Sequence, residues 1–584
     1  MYNRFFINKQ SGTYSETLEA FGVANLVYEI LTRSNISKFQ ITIEDLGLQY
    51  LVQSNKPISE EHVDKLTYFQ VLKFIKKDAL QELPPGITKP FDYPKNKAIQ
   101  DGYKAEFIQI EKLKSDEAKK QARKDLNNKK LSEFGENIDS EYDVYREIIK
   151  NPYSSFNNLF YNFYSHQNRF PDLIKSILIY YNQQTQVKLN FKLTDEKPTA
   201  LQLFNPNQGK GLNKNKANNV SMGNLDGHWI SETMKISGAF LFMICQYVKV
   251  GSGYDMKVYV PEFHEIGLSE AKKMILDFKK YLKSTSPIKL DILNSLDFTI
   301  NFIKNTPEYK GKVRKTLKGF HSVYQKDLGQ NKAVANIAFI NTPDFVEYSN
   351  KEEGNEWVEI IEQQRNLISN IEEHGDSIQG LQNYRSFTGS IGNSALEYFS
   401  EFSYWYAGFL MQKLTSGNRF VRIFKIDHLT KFYRNMDTKE TNLMEIIQND
   451  GFKAIASAIR NSTLIPQIFG NEIFKPRYGI AQELQNKSKS KDDLTTFIGE
   501  FITLYNVETA RKREIANSDT HKINDKRYYR KLVNESELTL FYSILDKTSS
   551  SLVGALLASY GFALNKKDAP KDDLDTEETT ANED

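Results

Sequence analysis

The chain holds one cysteine in 584 residues, Cys245, and places it inside the apolar run "AFLFMICQYV". That excludes an intrachain disulfide and any multi-cysteine zinc or iron-sulfur site, and predicts a buried, inert thiol. The eight histidines are scattered, with neither His-x-x-x-His nor Glu-x-x-His spacing, so no histidine-built metal centre is expected. Carboxylate metal sites stay open, because they leave no linear signature. No apolar run approaches the roughly 18 residues a membrane span needs. The nearest, Ile236 to Tyr247, is short and broken by Ser237 and Gln246. The opening "MYNRFFINKQSGTYSET" lacks an apolar signal core, so the expected location is the cytoplasm, away from membrane.

Catalytic motifs are missing as well. The stretch "FNPNQGKGLNKNKANN", Phe204 to Asn219, has the glycines and lysines of a phosphate loop. A Walker loop needs G-x-x-x-x-G-K-[ST], whereas Gly209 and Gly211 flank Lys210 and Leu212 follows. The dinucleotide fingerprint fails because position 214 is lysine. "FTGSIGNS", residues 387–394, is not a G-x-S-x-G elbow, and Asp492 with Asp493 has the look of a helix N-terminus. No catalytic residue, metal or cofactor is expected.

What is present suits a large folded protein. The length suggests roughly three or four structural units. Hydrophobic content of 40% supports real cores, and 32 Tyr and 38 Phe against 3 Trp set their character. The formal charge of +3 hides an asymmetry. From Lys566 the tail carries three lysines against eight acids, a net of −5, which leaves the preceding body at +8. That tail, 566–584, reads as disordered. Basic residues cluster in the body: Lys304 to Lys332 holds eight against two acids, and Lys104 to Lys130 nine against five. A basic stripe is the footprint of a polyanion partner, although Lys-rich helices also simply solvate a surface.

The pattern along the chain predicts an α+β protein: a mixed α/β N-terminal body over 1–355, then a C-terminal α-helical bundle over 356–565. "SETLEAFGVANLVYEIL" sets Leu18, Phe21, Leu26 and Ile30 near one helical stripe, and "KFQITIEDLGLQYLVQ" alternates like a hairpin around Asp45 to Gly47. Residues 97–135 form a candidate insertion, with a charged exposed helix or mobile segment after the Pro-rich connector 82–96. "QVKLNFKL" and "DMKVYVPEF" read as strands, and "AVANIAFI" as a buried one. In "DGFKAIASAIRNS" the residues Phe452, Ile455, Ala456 and Ile459 form the apolar stripe, while Lys453, Ser457 and Arg460 fall on an outer, positive face. Asp450 is a plausible cap there, and Asn534 with Glu537 a capping box.

In the 204–219 stretch, amides that both donate and accept are set among lysines. Such side chains read base edges while lysines neutralise phosphates, although Asn, Gly and Lys also make ordinary solvated connectors.

The order and spacing of "NPNQGKGLNKNKANN", "YDMKVYVPEF", "GFHSVYQKDLGQNKAVANIAFINTPDF", "NDGFKAIASAIRNST", "YGIAQELQNKS", "FIGEFITLYNVETAR" and "LVGALLASYGFAL" resembles the large subunit of a type I, I-B-like, CRISPR surveillance complex (Cascade). The likeness runs from about residue 200 to 565. It implies a non-catalytic subunit that recognises the PAM duplex beside the target, helps open the DNA, stabilises the R-loop and presents it to a separate helicase-nuclease. The implied partners are the guide RNA (crRNA), target double-stranded DNA, the backbone filament, the 5′-handle-capping subunit and small subunits. On this likeness Asn207, Gln208, Lys210 and Asn213 contact the PAM duplex, with Lys214 and Lys216 on phosphates. The competing reading of the same loop is a grip on the guide RNA 5′ handle or on a neighbouring subunit. Lys312, Arg314, Lys315 and Lys318 are candidates for tracking backbone phosphate, and Lys453, Arg460 and Asn461 for lining the displaced strand. Tyr505 and Tyr560 read as core. Met436 or Met444 is a candidate internal start for a small-subunit product. The alternatives are a metal-dependent nucleic-acid-processing enzyme, or a scaffold that holds guide RNA without reading DNA.

Overall fold

The structure is a computed structural model that describes residues 1–66, 72–134, 138–150, 153–208, 225–251, 253–279, 286–328, 332–417, 421–468, 473–518 and 528–565. By packing, the chain falls into two units: Met1–Thr285 with Arg314–Ile340, and Ser286–Val313 with Asn341–Asp584. The chain therefore crosses between units more than once, where the sequence reading drew a single cut at 355. The first unit is mixed α/β and the second is helical, so the fold is α+β.

Two four-stranded sheets frame the first unit. In the first, β1 (Tyr2–Asn8), β2 (Ile41–Asp45) and β3 (Gln49–Ile58) run antiparallel, with Phe5 and Ile43 both opposite Val52. The β2–β3 turn is the expected hairpin. Gly47 adopts φ +90°, which a Cβ disfavours, and donates its amide to Asp45 Oδ1 at 2.8 Å. Between β1 and β2 lies α1 (Ser15–Arg33), where Leu18, Phe21, Leu26 and Ile30 are at most 1% exposed. Glu16, Glu19 and Asn25 are buried too, so α1 is enclosed on every side rather than along one stripe.

The charged stretch forms two exposed helices, α2 (Tyr93–Glu111) and α3 (Asp116–Phe134), tied by Arg123 to Glu111 at 2.6 Å and Lys129 to Glu106 at 2.9 Å. Further on, α4 (Trp229–Phe242) crosses α1, with Phe242 stacked on Phe21 at 3.6 Å. The second sheet follows: β4 (Ile244–Val250), β5 (Gly253–Phe263), β7 (Leu317–Asp327) and β8 (Lys332–Asn341), in the order β8-β7-β5-β4. The short β6 (Glu265–Gly267) instead joins the first sheet beside β2.

Two strand expectations change. Val187, Leu189, Phe191 and Leu193 alternate, but no strand forms there. A period of two needs a neighbouring strand to complete a ladder, and here side chains tether the segment instead. Arg169 Nη1 donates to Asn190 Oδ1 at 2.7 Å, and His166 Nε2 lies 3.1 Å from Lys192 O. The 333–340 strand does form, as β8, but it is largely exposed rather than buried, because it is the sheet's edge.

The second unit begins with α5 (Pro287–Asn305), buried along most of its length, and continues through α6 (Lys351–Ser369), α7 (Ser377–Gly389) and α8 (Gly392–Thr415). Phe345, Phe387, Phe399 and Phe432 interlock at its centre, with Phe345 stacked on Phe387 at 5.3 Å and Phe399 4.6 Å from Phe432. The later helices α9 (Asp450–Ser462), α10 (Lys491–Asn517), α11 (Glu535–Leu545) and α12 (Ser550–Gly561) complete it. Asn534 and Glu537 form the expected capping box on α11. On α9 the cap is Asn449 rather than Asp450, since its side chain accepts from Gly451 and Phe452 amides.

Asp297 on α5 gives a pH signature. Burial raises its carboxyl to about 6, with Arg365 opposing the shift. A carboxyl whose folded pKa is raised contributes stability below its unfolded value, near 4, and loses it as pH rises through about 6. Urea unfolding between pH 4 and 7 is therefore expected to show a fall of about 2–3 kcal/mol that Asp297→Asn lacks. Equal slopes for the two proteins would refute this.

Candidate nucleic-acid interface

The first residues of the amide- and lysine-rich stretch are closely held. Its described start is Phe204–Gln208; Lys210, Asn213, Lys214 and Lys216 lie outside the described residues. Three elements hold that start. From the entry to α1, Tyr14 Oη donates to Leu203 O at 2.6 Å and Ser15 Oγ to Phe204 O at 2.8 Å. From α4, Lys235 Nζ donates to Asn205 Oδ1 at 2.8 Å, and Asn205 Nδ2 donates to Glu232 Oε2 at 2.8 Å. Beyond the stretch, the chain returns alongside its own entry: Ala200 N donates to Leu225 O at 2.9 Å and Gly227 N to Pro198 O at 2.7 Å. The two roots thus form one antiparallel stem, with Thr199 bridged to Asp226.

Beneath the stem is a buried polar network. Asn205 is 1% exposed, Glu232 2% and Lys235 9%. Burial favours neutral Lys235, but Glu232 and Glu19 outweigh it and hold the ammonium above its ordinary pKa. Burial raises Glu19, against the pull of Lys235 and a hydrogen bond of 2.6 Å from Tyr181 Oη. Such a network specifies one arrangement, because a displaced partner would leave a buried charge alone. Next to it, His228 stacks on Tyr180 at 5.1 Å, and burial lowers its pKa.

Within the described start, Asn207 and Gln208 are half-buried. Asn207 Nδ2 reaches Ser11 O at 3.4 Å, and its Oδ1 has no partner among the described residues. Asn205, one of the amides of the 204–219 stretch, is wholly committed to the network and faces the interior.

The other candidates are dispersed. Lys312 belongs to the second unit, whereas Arg314, Lys315 and Lys318 belong to the first. Lys312 pairs with Asp344 at 3.1 Å. Lys315 is exposed and Arg314 half-buried. Lys318 is drawn into a cluster that linear spacing could not reveal: it pairs with Asp45 and lies 3.5 Å from Glu262. Lys9 bridges the same two acids at 2.9 and 3.0 Å, and His321 Nε2 lies 2.6 Å from Glu262. Burial pushes the Glu262 carboxyl up, but His321 and Lys9 outweigh it and hold it well below the carboxylate range.

On α9 the outer face is only partly as expected. Lys453 is exposed, beside Asp450 at 3.3 Å. Arg460 is a correction: it is 7% exposed, with Nε donating to Ala563 O at 2.6 Å and Nη2 to Tyr560 O at 2.9 Å. The carbonyls at the end of α12 lack intrahelical donors, and the guanidinium supplies them. Asn461 is half-buried, 3.5 Å from Ser457 Oγ and from Tyr505 Oη. Tyr505 and Tyr560 are core residues, 1% and 5% exposed.

No helix among the described residues is long and apolar enough to cross a membrane, and no three described His, Cys, Asp or Glu side chains converge to hold a metal. Compared with known proteins, the chain matches no family model and no curated sequence.

Proposed function

We propose that the chain is a non-catalytic, nucleic-acid-binding large subunit of a Cascade-type, RNA-guided complex in the cytoplasm. It recognises the PAM duplex, helps unwind target DNA, stabilises the R-loop and hands the opened DNA to a separate helicase-nuclease. Guide RNA, target duplex, backbone filament, handle-capping subunit and small subunits are its partners, and it needs no cofactor. The observation that supports this best is the stem. The residues on either side of a sequence rich in Asn, Gln, Lys and Gly are hydrogen-bonded to each other and to the network beneath them. Amides and lysines following a closely hydrogen-bonded base suit direct readout, since phosphate contacts position and amide contacts specify.

The test is binding of the reconstituted guide-RNA complex to duplexes with a randomised PAM. Lys210→Ala, Lys214→Ala and Lys216→Ala should each weaken binding for all sequences and reduce the salt slope by about one. Gln208→Ala and Asn213→Ala should relax PAM preference while a pre-opened target still binds. Unchanged DNA affinity in all five variants would leave a guide-RNA scaffold as the better reading. Magnesium-dependent cleavage by the purified chain would make it an enzyme.

A further inference from the structure

Four strands end the two sheets, and three of these edges are guarded. The β1 edge is capped by amides, with Asn182 Nδ2 donating to Arg4 O and Gln184 Nε2 to Phe6 O, both at 2.7 Å. The β6 edge is only three residues long. The β4 edge carries Lys249, and Arg146 sits over its Tyr247 ring at 4.3 Å. Short strands, charges and covering side chains are the usual defences against edge-to-edge pairing.

Away from its ends the β8 edge has none of them; at its C-terminal end Ser295 Oγ donates to Asn341 O at 3.1 Å. It is a ten-residue strand with no proline and no charge after Lys332. Lys332 itself is engaged by Glu147. Ile337 and Phe339 are each 38% exposed on one face, and among the described residues no backbone hydrogen bond leaves 332–340 for anything beyond the sheet.

We infer that β8 is a pairing edge for a second copy of this chain, joined antiparallel about a two-fold axis. The strand's own sequence argues for this occupant. A two-fold axis normal to the sheet keeps odd positions beside odd and even beside even. Centred on Ile337, it sets Ile337 against its counterpart, Phe339 against Ala335, Ile340 against Val334 and Asn336 against Ala338. The largest side chain meets one of the smallest, and no charge meets its like, because Lys332 falls opposite Thr342. The outward amides and carbonyls of both strands gain partners in one continuous sheet. This inference does not depend on the reading of the nucleic-acid stem.

Sedimentation and light scattering on the full chain alone test it. Wild type should pass from monomer to dimer as concentration rises to roughly 100 μM, a weak association in keeping with a single strand pair. The Ile337→Lys/Phe339→Lys double variant should stay monomeric while keeping the wild-type circular dichroism spectrum. Under mild oxidation Ile337→Cys should cross-link two copies, as residues facing each other in antiparallel strands lie within disulfide reach. Lys326→Cys, outside the pairing, should not. A wild type that stays monomeric throughout, a dimer that survives the double lysine variant, or an Ile337→Cys chain that fails to cross-link would overturn the assignment.

Discussion

Alanine at Gly22 or Gly238 is expected to destabilise the first unit by about 3 kcal/mol, the upper end of the usual range for overpacking. The two glycines mark the crossing of α1 and α4. A Cβ on Gly22 would lie 1.9 Å from the carbonyl oxygen of Met234, and one on Gly238 would lie 1.9 Å from that of Leu18. Both neighbours are backbone atoms of helices, so no rotamer change makes room. The helices must separate, and separation would loosen Phe21 against Phe242, the stacked pair beside the crossing. The control is Gly102→Ala on α2, where a new Cβ meets nothing within 4 Å. There alanine should stabilise by about 0.5–1 kcal/mol through helix propensity alone. Urea midpoints of the three variants check this. A Gly22→Ala midpoint equal to wild type would mean that the crossing has slack.

Nothing in "EAFGVANL" or "KISGAFLF" says that these glycines face each other, because helix periodicity reports which side is apolar, not what approaches it. The same limit explains the other gains and losses. The stripe of α1 and the 41–58 hairpin were legible because both are local patterns with local causes. The 187–193 strand was misread because alternation is a necessary sign of a strand and not a sufficient one; the missing partner is a tertiary fact. β8 was read as buried from its apolar content, yet a strand at a sheet edge keeps that content in the open. Arg460 shows the converse. Helical spacing from Phe452 sets it beside Lys453 on the polar side, but the end of α12 offers bare carbonyls that draw the guanidinium inward. The amide and lysine content of 204–219 was plain, while the stem beneath it was not. Its key residues, Glu232 and Lys235, stand three apart in a mostly apolar helix, and that is the one sequence clue they leave.

Lys235→Met is expected to cost about 3–5 kcal/mol, the usual range for removing one partner of a buried ion pair. Glu232 and Glu19 would stay in the interior without their cation, and Asn205 would lose the donor to its Oδ1. Adding Glu232→Gln should restore part of the loss, because an amide can still accept from Asn205 Nδ2 and one of the two carboxylates left without the cation is removed. The functional readout separates position from contact. Lys210→Ala should weaken DNA binding at unchanged melting temperature, whereas Lys235→Met should weaken binding and melting together, since it acts on the base of the stem. The pH dependence identifies the cause. Without Lys235 the Glu19 carboxyl, already raised by burial, should rise further. Carboxyls raised in the folded state destabilise as pH climbs through their folded pKa, so the deficit should be large at pH 8 and shrink toward pH 5. A deficit equal at both would mean that Lys235 matters for the volume it fills, and that its charge plays no part in holding the stem.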